Sequence, residues 1–211
     1  MIRKYTILGL VQGIGYRPFV ARIAEELNIE GWVRNTGGIV TVLASGSEAS
    51  LDELYRRLSC DVPTGGFVSS IQVEEVEVVS IEEAGFKILE SNQDEKTNLP
   101  LIPADIATCP ECERELLDPS NRRYRHPFIS CTICGPRYSI IEKLPYDRDT
   151  ITMSDFDMCE KCKTEYTAKD DRRRHAQTIA CPKCGPSLVF TGITADSSEK
   201  ESNKNAGNIS N

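Results

Sequence analysis

The sequence lacks any apolar run approaching the ~20 residues that a membrane-spanning helix requires. Its N terminus also lacks an apolar segment ending in small residues, so no secretion signal is expected. Disulfide bonds belong mainly to secreted proteins, because the cytosol keeps thiols reduced. We therefore expect a cytoplasmic protein, in which nine cysteines among 211 residues indicate metal binding rather than disulfides.

Basic charge is not in excess either, since the formal net charge is -7. Residues 100–190, which contain eight of the cysteines, carry 14 basic and 14 acidic side chains. Metal-bound thiolates would make that part more negative. Because binding to a nucleic-acid backbone needs a basic surface, the balance argues against nucleic acid as a partner. The absence of long apolar runs argues against a membrane partner.

Two hydrophobic periods alternate along the first 90 residues. Apolar residues at every second position predict strands, and apolar residues three or four positions apart predict helices. The predicted strands cover residues 4–12, 30–35, 39–44, 70–79 and 85–90, and the predicted helices cover residues 18–28 and 47–58. Pro18 suits a first helical position and Ser47 a helix N-cap. The order is the β-α-β-β-α-β unit of an α+β, ferredoxin-like fold, with two helices on one face of an antiparallel sheet.

The remaining chain differs in composition. Residues 103–190 are rich in cysteine, proline and charge, and we expect such a segment to need metal rather than a hydrophobic core. The composition predicts a first domain over residues 1–91, a polar linker over 92–102, a metal-binding region over 103–190 and a disordered tail over 191–211.

Cysteine spacing is the strongest signal in the sequence. The pairs Cys109/Cys112 and Cys131/Cys134 are separated by 18 residues, and the same arrangement recurs 50 residues later. The four later cysteines are Cys159, Cys162, Cys181 and Cys184. Two residues between thiolates let both sulfurs reach one ion, and two such pairs complete a closed tetrahedral site. The duplication predicts two structural Zn²⁺ ions, one in each repeat.

Several alternatives remain open for these residues. The cysteine pairs could instead be redox-active or hold an iron–sulfur cluster, although the long loops favour zinc. Sequential pairing within each repeat is our prediction, and spacing alone does not exclude interleaved pairing. His126 and His175 each precede a second pair, but by five and six residues, which argues against equivalent ligation. Cys60 is interpreted as a small buried residue.

Two basic runs, residues 122–125 (RRYR) and 172–174 (RRR), lie close to the cysteine pairs. Basic and aromatic residues near zinc sites can bind nucleic acid. We favour a solvated loop surface, balanced by acidic neighbours at Asp118, Asp170 and Asp171.

A glycine-containing loop, residues 9–18 (GLVQGIGYRP), joins the first predicted strand to the first predicted helix. Such a loop can turn successive backbone N–H groups inward, and the helix start adds partial positive charge, so together they favour an anion. Gly13 and Gly15 permit the necessary backbone angles. The planar guanidinium of Arg17 can meet two phosphate oxygens. Residues 1–125 contain no histidine, which fits a site without an imidazole base.

The segments VQGIGYR (residues 11–17) and GWVRN (31–35) resemble the acylphosphatase family, and the resemblance covers residues 3–90. It implies an enzyme that hydrolyses acyl phosphates. Arg17 and Asn35 would be catalytic, with Asn35 orienting the attacking water and Thr36 in a supporting place. The residues that would hold the phosphate are Gln12, Gly13, Ile14, Gly15, Tyr16 and Arg17.

The whole arrangement, including RRYRHPFISCTICGPRYSI (122–140) and RRRHAQTIACPKCGP (172–186), is similar to the N-terminal part of the hydrogenase-maturation carbamoyltransferases, the HypF family. This resemblance implies carbamoyl phosphate as substrate and a place in making the cyanide ligands of [NiFe] hydrogenase. The family continues with adenylation and transfer domains, so we expect this chain alone not to carbamoylate a partner protein. The competing hypothesis is a non-enzymatic zinc-binding adaptor.

Overall fold

The computed structural model describes residues 1–77, 85–92 and 101–191. The strands of these residues are β1 (Ile2–Leu10), β2 (Glu30–Thr36), β3 (Ile39–Ser45), β4 (Phe67–Glu75) and β5 (Phe86–Ile88). The α-helices are α1 (Tyr16–Glu26), α2 (Glu48–Cys60), α3 (Pro110–Leu117) and α4 (Glu160–Thr167). Short 3-10 helices occupy Tyr138–Ile140, Arg148–Thr150 and Thr152–Asp155.

The five strands form one sheet in the order β4-β1-β3-β2-β5. Neighbouring strands are antiparallel except β2 and β5, which run parallel. The predicted α+β, ferredoxin-like fold is therefore confirmed, but the sheet is mixed rather than wholly antiparallel. The difference arises because β5, which follows β4 in sequence, lies at the opposite edge of the sheet from β4 and pairs with β2.

The element boundaries differ from the predicted ones by a few residues. Helix α1 begins at Tyr16, so Pro18 lies within the first turn rather than at its first position, where a missing N–H is equally harmless. Ser47 is the N-cap of α2, as predicted, and its hydroxyl accepts a hydrogen bond of 3.1 Å from the Ser50 amide. Strand β4 begins at Phe67, and the predicted strand residues 78–79 lie outside the described residues.

One apolar core joins α1 and α2 to the sheet. Two buried tyrosines contribute to it, and their hydroxyls donate to carbonyls of α2. Tyr5 on β1 donates to the Leu51 oxygen at 3.1 Å, and Tyr16 on α1 donates to the Leu58 oxygen at 2.9 Å. Because buried hydroxyls need a partner, these bonds fix α2 against both the sheet and the start of α1.

Residues 101–191 contain two copies of one structural unit, here called the first cysteine unit (residues 109–134) and the second cysteine unit (159–184). Cys109 and Cys159 are the N-caps of α3 and α4, which are eight residues long each. Small apolar clusters surround the cysteines, and a third forms between the units around Ile151 and Met153. The clusters around the two cysteine sets consist largely of the cysteines themselves, so this region has no large apolar core comparable to that of the sheet domain.

The predicted domain boundaries stay predictions. Residues 93–100 of the proposed linker and 192–211 of the proposed disordered tail lie outside the described residues. Within the described part of the chain, the helices are too short or too polar to cross a bilayer.

Candidate active site and metal centres

The glycine loop connects the end of β1 to the start of α1. Gly13 and Gly15 adopt φ angles of 72° and 75°, in the left-handed region where a side chain would be strained. Within the described residues, the amides of residues 13–17 donate to no protein acceptor. Unsatisfied amides at a helix start are the physical basis of anion binding. Ile14 turns the other way, into the core of the sheet domain.

Arg17 and Asn35 line the same small cavity as the loop, with a volume of about 30 Å³. We call it the loop cavity. Asn35 lies on β2, is 1% exposed, and its side-chain oxygen has no hydrogen-bond partner in the part of the chain that the structure describes. A buried acceptor without a donor costs free energy, so this oxygen marks a place for a donor such as water. Asn35 and Arg17, the two residues that the family resemblance implies are catalytic, therefore lie in one cavity.

Gln12 is also buried, but its side chain is already engaged. Its Nε2 atom donates to the carbonyls of Gly37 at 2.9 Å and Ile39 at 3.2 Å, and its Oε1 atom accepts from the Tyr146 amide at 3.4 Å. Thr36 is buried as well and accepts a hydrogen bond from Thr41. Gln12 therefore holds the loop to the β2–β3 turn and to the cysteine region.

The opposite wall of the loop cavity comes from the cysteine region, which sequence reasoning did not anticipate. Its residues include Thr132, Arg137, Tyr146, His175, Gln177 and Thr178. Contact is close: a Cβ atom on Gly15 would lie 2.9 Å from the Cβ of Thr132. No local signal marks these positions, because they approach the loop from more than 100 residues along the chain.

An ion pair covers Arg17. Its guanidinium donates to the Asp147 carboxylate, and Ser91 donates to the same carboxylate while accepting from Arg17 at 3.3 Å. Both charged side chains are largely buried, with 11% of Arg17 and 18% of Asp147 exposed. A carboxylate therefore holds the guanidinium that was predicted to bind phosphate.

His175 lies in the wall of the loop cavity, although the sequence assigned it no part there. Its ring stacks at a tilt against Tyr166, with centroids 4.9 Å apart. Burial, together with the positive charges of Arg17 and Arg174, lowers the pKa of His175 to about 4. The imidazole is accordingly neutral at physiological pH.

The cysteines of each unit converge, which is the sequential grouping that we predicted. In each unit the four sulfur atoms lie within 4.8 Å of one another. The Cys109–Cys131 and Cys131–Cys134 sulfur distances are 3.8 and 3.7 Å, and the matching distances in the second unit are also 3.8 and 3.7 Å. Four sulfurs at ~2.3 Å from a tetrahedral zinc ion are about 3.8 Å apart, so the donor set and its spacing fit zinc.

Each cysteine unit is held by arginines from the other one. Arg172 donates to the Cys112 sulfur at 3.1 Å, and Arg122, 50 residues earlier, donates to the Cys162 sulfur at 3.2 Å. We call these two hydrogen bonds, Arg172 to Cys112 and Arg122 to Cys162, the crossed thiolate contacts. Hydrogen bonds from a cation stabilise thiolate over thiol, which is the form that binds metal.

The neighbouring arginines follow the same crossed pattern. Arg123 pairs with Glu165 and Arg173 with Glu115, and the two guanidiniums are only 2% and 3% exposed. Burial is the largest single influence on Glu115 and would raise its pKa, but the hydrogen bonds and charges of Arg173 and Arg172 together outweigh it, so the pKa is lowered. The predicted solvated surface is therefore wrong for Arg122, Arg123, Arg172 and Arg173, which are internal partners of the opposite unit, whereas Arg125 is exposed.

The two histidines occupy different places in the duplicated units. Arg125 and His175 are 50 residues apart and share a left-handed φ of 55° and 54°, so His175 corresponds to Arg125 and not to His126. Within the described residues, His126 is 1% exposed, lies outside the cysteine clusters and has no hydrogen-bond partner for either ring nitrogen. The unequal spacing argued against equivalent ligation by the two histidines, and neither of them belongs to a cysteine cluster. The expectation for Cys60 is corrected, because it is exposed at the end of α2.

Comparison with known proteins agrees with this division of the chain. The acylphosphatase family model matches residues 3–88, and the HypF finger model matches residues 108–141 and 158–191. An acylphosphatase of Chlorobaculum tepidum is 44% identical over 73 residues, which are 34% of this chain and 78% of that protein.

The chain combines an acylphosphatase domain with two HypF fingers.

Its HypF relatives are much longer. Carbamoyltransferase HypF2 of Cupriavidus necator is 50% identical over 153 residues, which make up 72% of this chain and 19% of that protein. A crystal structure of full-length HypF in the phosphate- and nucleotide-bound form superposes with a TM-score of 0.86 and 44% identity, covering 92% of this chain and 25% of that one. The chain thus spans about a fifth of the length of the curated HypF proteins it matches.

The crossed thiolate contacts generate a prediction about which unit responds to a substitution. Arg172→Gln removes a cation from the Cys112 sulfur, so Cys112 and its three partners in the first unit should lose metal to a chelator several-fold faster, while the second unit is unaffected. Alkylation of the freed thiols followed by peptide mass mapping assigns the loss to a unit. Arg114→Gln is the matched control, since Arg114 lies on α3 of the first unit but is 68% exposed and pairs with Glu111. Loss confined to the second unit, or equal for both variants, would contradict the crossed arrangement.

Proposed function

We propose that this chain hydrolyses acyl phosphates, with carbamoyl phosphate as the substrate, as the first step of carbamoyl transfer in hydrogenase maturation. The observation that carries the proposal is the loop cavity, into which the free loop amides, Arg17 and Asn35 are gathered. Similarity to the HypF proteins and the acylphosphatase match over residues 3–88 support it. The compartment proposed is the reducing cytosol, where cysteine ligands stay available for metal.

Phosphate binding would use the loop amides of residues 13–17 and the Arg17 guanidinium. Both would present N–H groups to the phosphoryl oxygens, where charge changes during the reaction. The Asn35 side-chain oxygen, which has no partner among the described residues, would accept a hydrogen bond from the attacking water and hold it in line with phosphorus.

The reaction needs no protein nucleophile. The water oxygen forms a bond to phosphorus while the bond between phosphorus and the acyl oxygen breaks, and that oxygen keeps the electron pair as a carboxylate. For carbamoyl phosphate the leaving group is carbamate, and the proton released by water remains on the phosphate product. Because the carboxylate is a good leaving group, positioning and charge stabilisation suffice.

Two Zn²⁺ ions complete the proposal, one in each cysteine unit. With four thiolates per ion the site leaves no open position, so its role is structural. The metal would stabilise the two small units, whose apolar clusters alone are too limited to fold such segments.

The ion pair between Arg17 and Asp147 favours a second candidate, a non-enzymatic adaptor that keeps the loop only for its fold. In that case the carboxylate would permanently neutralise the guanidinium. In an enzyme, the phosphoryl group displaces the carboxylate and the cavity expands from its present 30 Å³. Turnover by the purified chain distinguishes the two candidates.

The first prediction concerns the catalytic pair. Arg17→Ala and Asn35→Ala should each lower kcat/KM for carbamoyl or benzoyl phosphate by about 100-fold or more, because each removes a group that acts on the transition state. Arg22→Ala is the matched control, since this arginine of α1 is 64% exposed and forms an ion pair with Glu26. Wild-type protein with a native circular dichroism spectrum and no turnover would favour the adaptor.

The second prediction concerns Asp147. Asp147→Asn should tighten inorganic phosphate binding roughly threefold or more, because it removes an anion that competes for Arg17. Asp149→Asn, two residues away and exposed, removes the same charge without touching Arg17 and should have little effect. Calorimetric titration with phosphate measures both. Weaker binding by Asp147→Asn would mean that the carboxylate positions Arg17 for the ligand instead of competing with it.

The third prediction is the metal content. Elemental analysis of the protein purified without added metal should give two zinc ions per chain, and Cys109→Ser or Cys159→Ser should each remove one. A single ion per chain, or iron with its visible absorption, would contradict the proposed pair of zinc sites.

A further inference from the structure

We propose that Arg137 is a positioning residue for the phosphate-binding loop, and that through Arg137 the metal state of the first cysteine unit sets the affinity of the loop cavity. The inference rests on the proposed function of that cavity. The proposal requires no contact between Arg137 and the substrate. Arg137 acts on the loop through a hydrogen bond to the loop backbone.

Arg137 joins the first cysteine unit to the loop by direct hydrogen bonds. The side chain is 2% exposed, and its Nε atom donates to the carbonyl oxygen of Gly13. Its two Nη atoms donate to carbonyls of the unit, with Cys134 at 3.1 Å, Thr132 at 3.0 Å and Cys131 at 3.4 Å. One planar group therefore connects the backbone around two metal-ligating cysteines with the central peptide of the loop.

The geometry at Gly13 shows that this contact constrains the loop. Gly13 has a φ of 72°, and a Cβ atom added there would lie 3.3 Å from the Cδ atom of Arg137 and 2.7 Å from Pro103. The carbonyl that accepts from Arg137 belongs to the peptide unit whose N–H is that of Ile14, one of the free loop amides. Because the peptide is planar, fixing that oxygen also fixes the direction of the amide.

The positive charge of Arg137 also favours an anion in the loop cavity. Within the described residues, no carboxylate forms an ion pair with the Arg137 guanidinium, and its partners are neutral carbonyls. A buried cation without a counter-ion raises the positive potential of the adjacent cavity, which favours an anion. Asp105 bonds the backbone amide of Arg137 at 2.7 Å and so holds the segment from its exposed side.

The duplicated unit supplies an internal comparison. Each cysteine unit is followed by Gly-Pro. The next residue is Arg137 after the first unit and Ser187 after the second, and Ser187 is exposed. A cysteine unit of this kind therefore forms without an arginine at that position. Only the first unit places this position against the loop, so the requirement for Arg137 comes from the loop and not from the metal site.

The test measures phosphate binding rather than turnover. In an ¹⁵N-labelled protein, the amide signals of Gly13 and Gly15 report both the loop conformation and its titration with inorganic phosphate. Arg137→Gln should shift the Gly13 and Ile14 amides in the free protein and weaken phosphate binding roughly tenfold, and Arg137→Lys should recover part of the loss. Tyr138→Ala is the control, because the neighbouring side chain is 67% exposed. Unchanged loop amides and unchanged affinity in Arg137→Gln would overturn the inference.

Coupling to the metal is tested by a double-mutant cycle. Cys109→Ser removes a ligand of the first unit, and we expect it to weaken phosphate binding in the wild-type background but to add little in Arg137→Gln. Fully additive effects would show that the metal acts on the loop by another route and would overturn the coupling. Amide signals of β3 confirm that each variant keeps the sheet domain folded.

This outcome is separable from that of the proposed function. A wild-type chain that binds phosphate in the Arg137-dependent way but turns over no acyl phosphate would retain the inference and reject the hydrolase. A chain that turns over substrate equally well with and without Arg137, at unchanged phosphate affinity, would retain the proposed hydrolase and reject the inference about Arg137.

Discussion

Buried arginines are the constraint on which the arrangement of this protein depends. Arg123, Arg137 and Arg173 are each at most 3% exposed, and each spans a boundary between parts of the chain that are distant in sequence. A buried guanidinium is tolerated only when its N–H groups are matched by acceptors in fixed places. Here the acceptors are thiolates, carboxylates and backbone carbonyls of another unit. The units therefore cannot slide against one another without leaving a charge unsatisfied, and the loop cavity is kept in register with the cysteine region.

Internal duplication gave the molecule two equivalent units, and their contacts are reciprocal where the sequence is repeated. Arg123 donates to the Ala180 carbonyl at 2.8 Å, and Arg173 donates to the Ser130 carbonyl at 2.9 Å. The two repeats differ in their contacts with the loop cavity at positions where their sequences differ. Arg137 faces the loop from the first unit, and His175 faces it from the second, while their counterparts Ser187 and Arg125 lie away from the cavity. The symmetric positions thus stabilise the pair, and the asymmetric positions shape the site.

The loop cavity brings backbone amides and arginines together with an anion of the protein itself. Free amides and two arginines provide positive potential, and the Asp147 carboxylate pairs with the more accessible arginine. Such a pair lowers the cost of burying Arg17 in the absence of ligand. It also means that the acylphosphatase domain does not define the site alone. Its loop supplies the donors, and the cysteine region supplies the wall and the competing charge.

Local pattern determined much of this protein. Alternating apolar residues gave the strands, the glycines and Pro18 located the loop and helix start, and the cysteine spacing predicted two four-sulfur clusters with the correct grouping. These features are encoded within short segments, since periodicity, turn chemistry and knuckle geometry depend on near neighbours. Only the tertiary structure decided the parallel pairing of β5, the partners of the arginine runs, and the approach of Arg137, Asp147 and His175 to the loop. The physical reason is that arginines close to aspartates in sequence are interpreted as solvated, and nothing nearby in the chain specifies which distant carboxylate, thiolate or carbonyl will receive their hydrogen bonds.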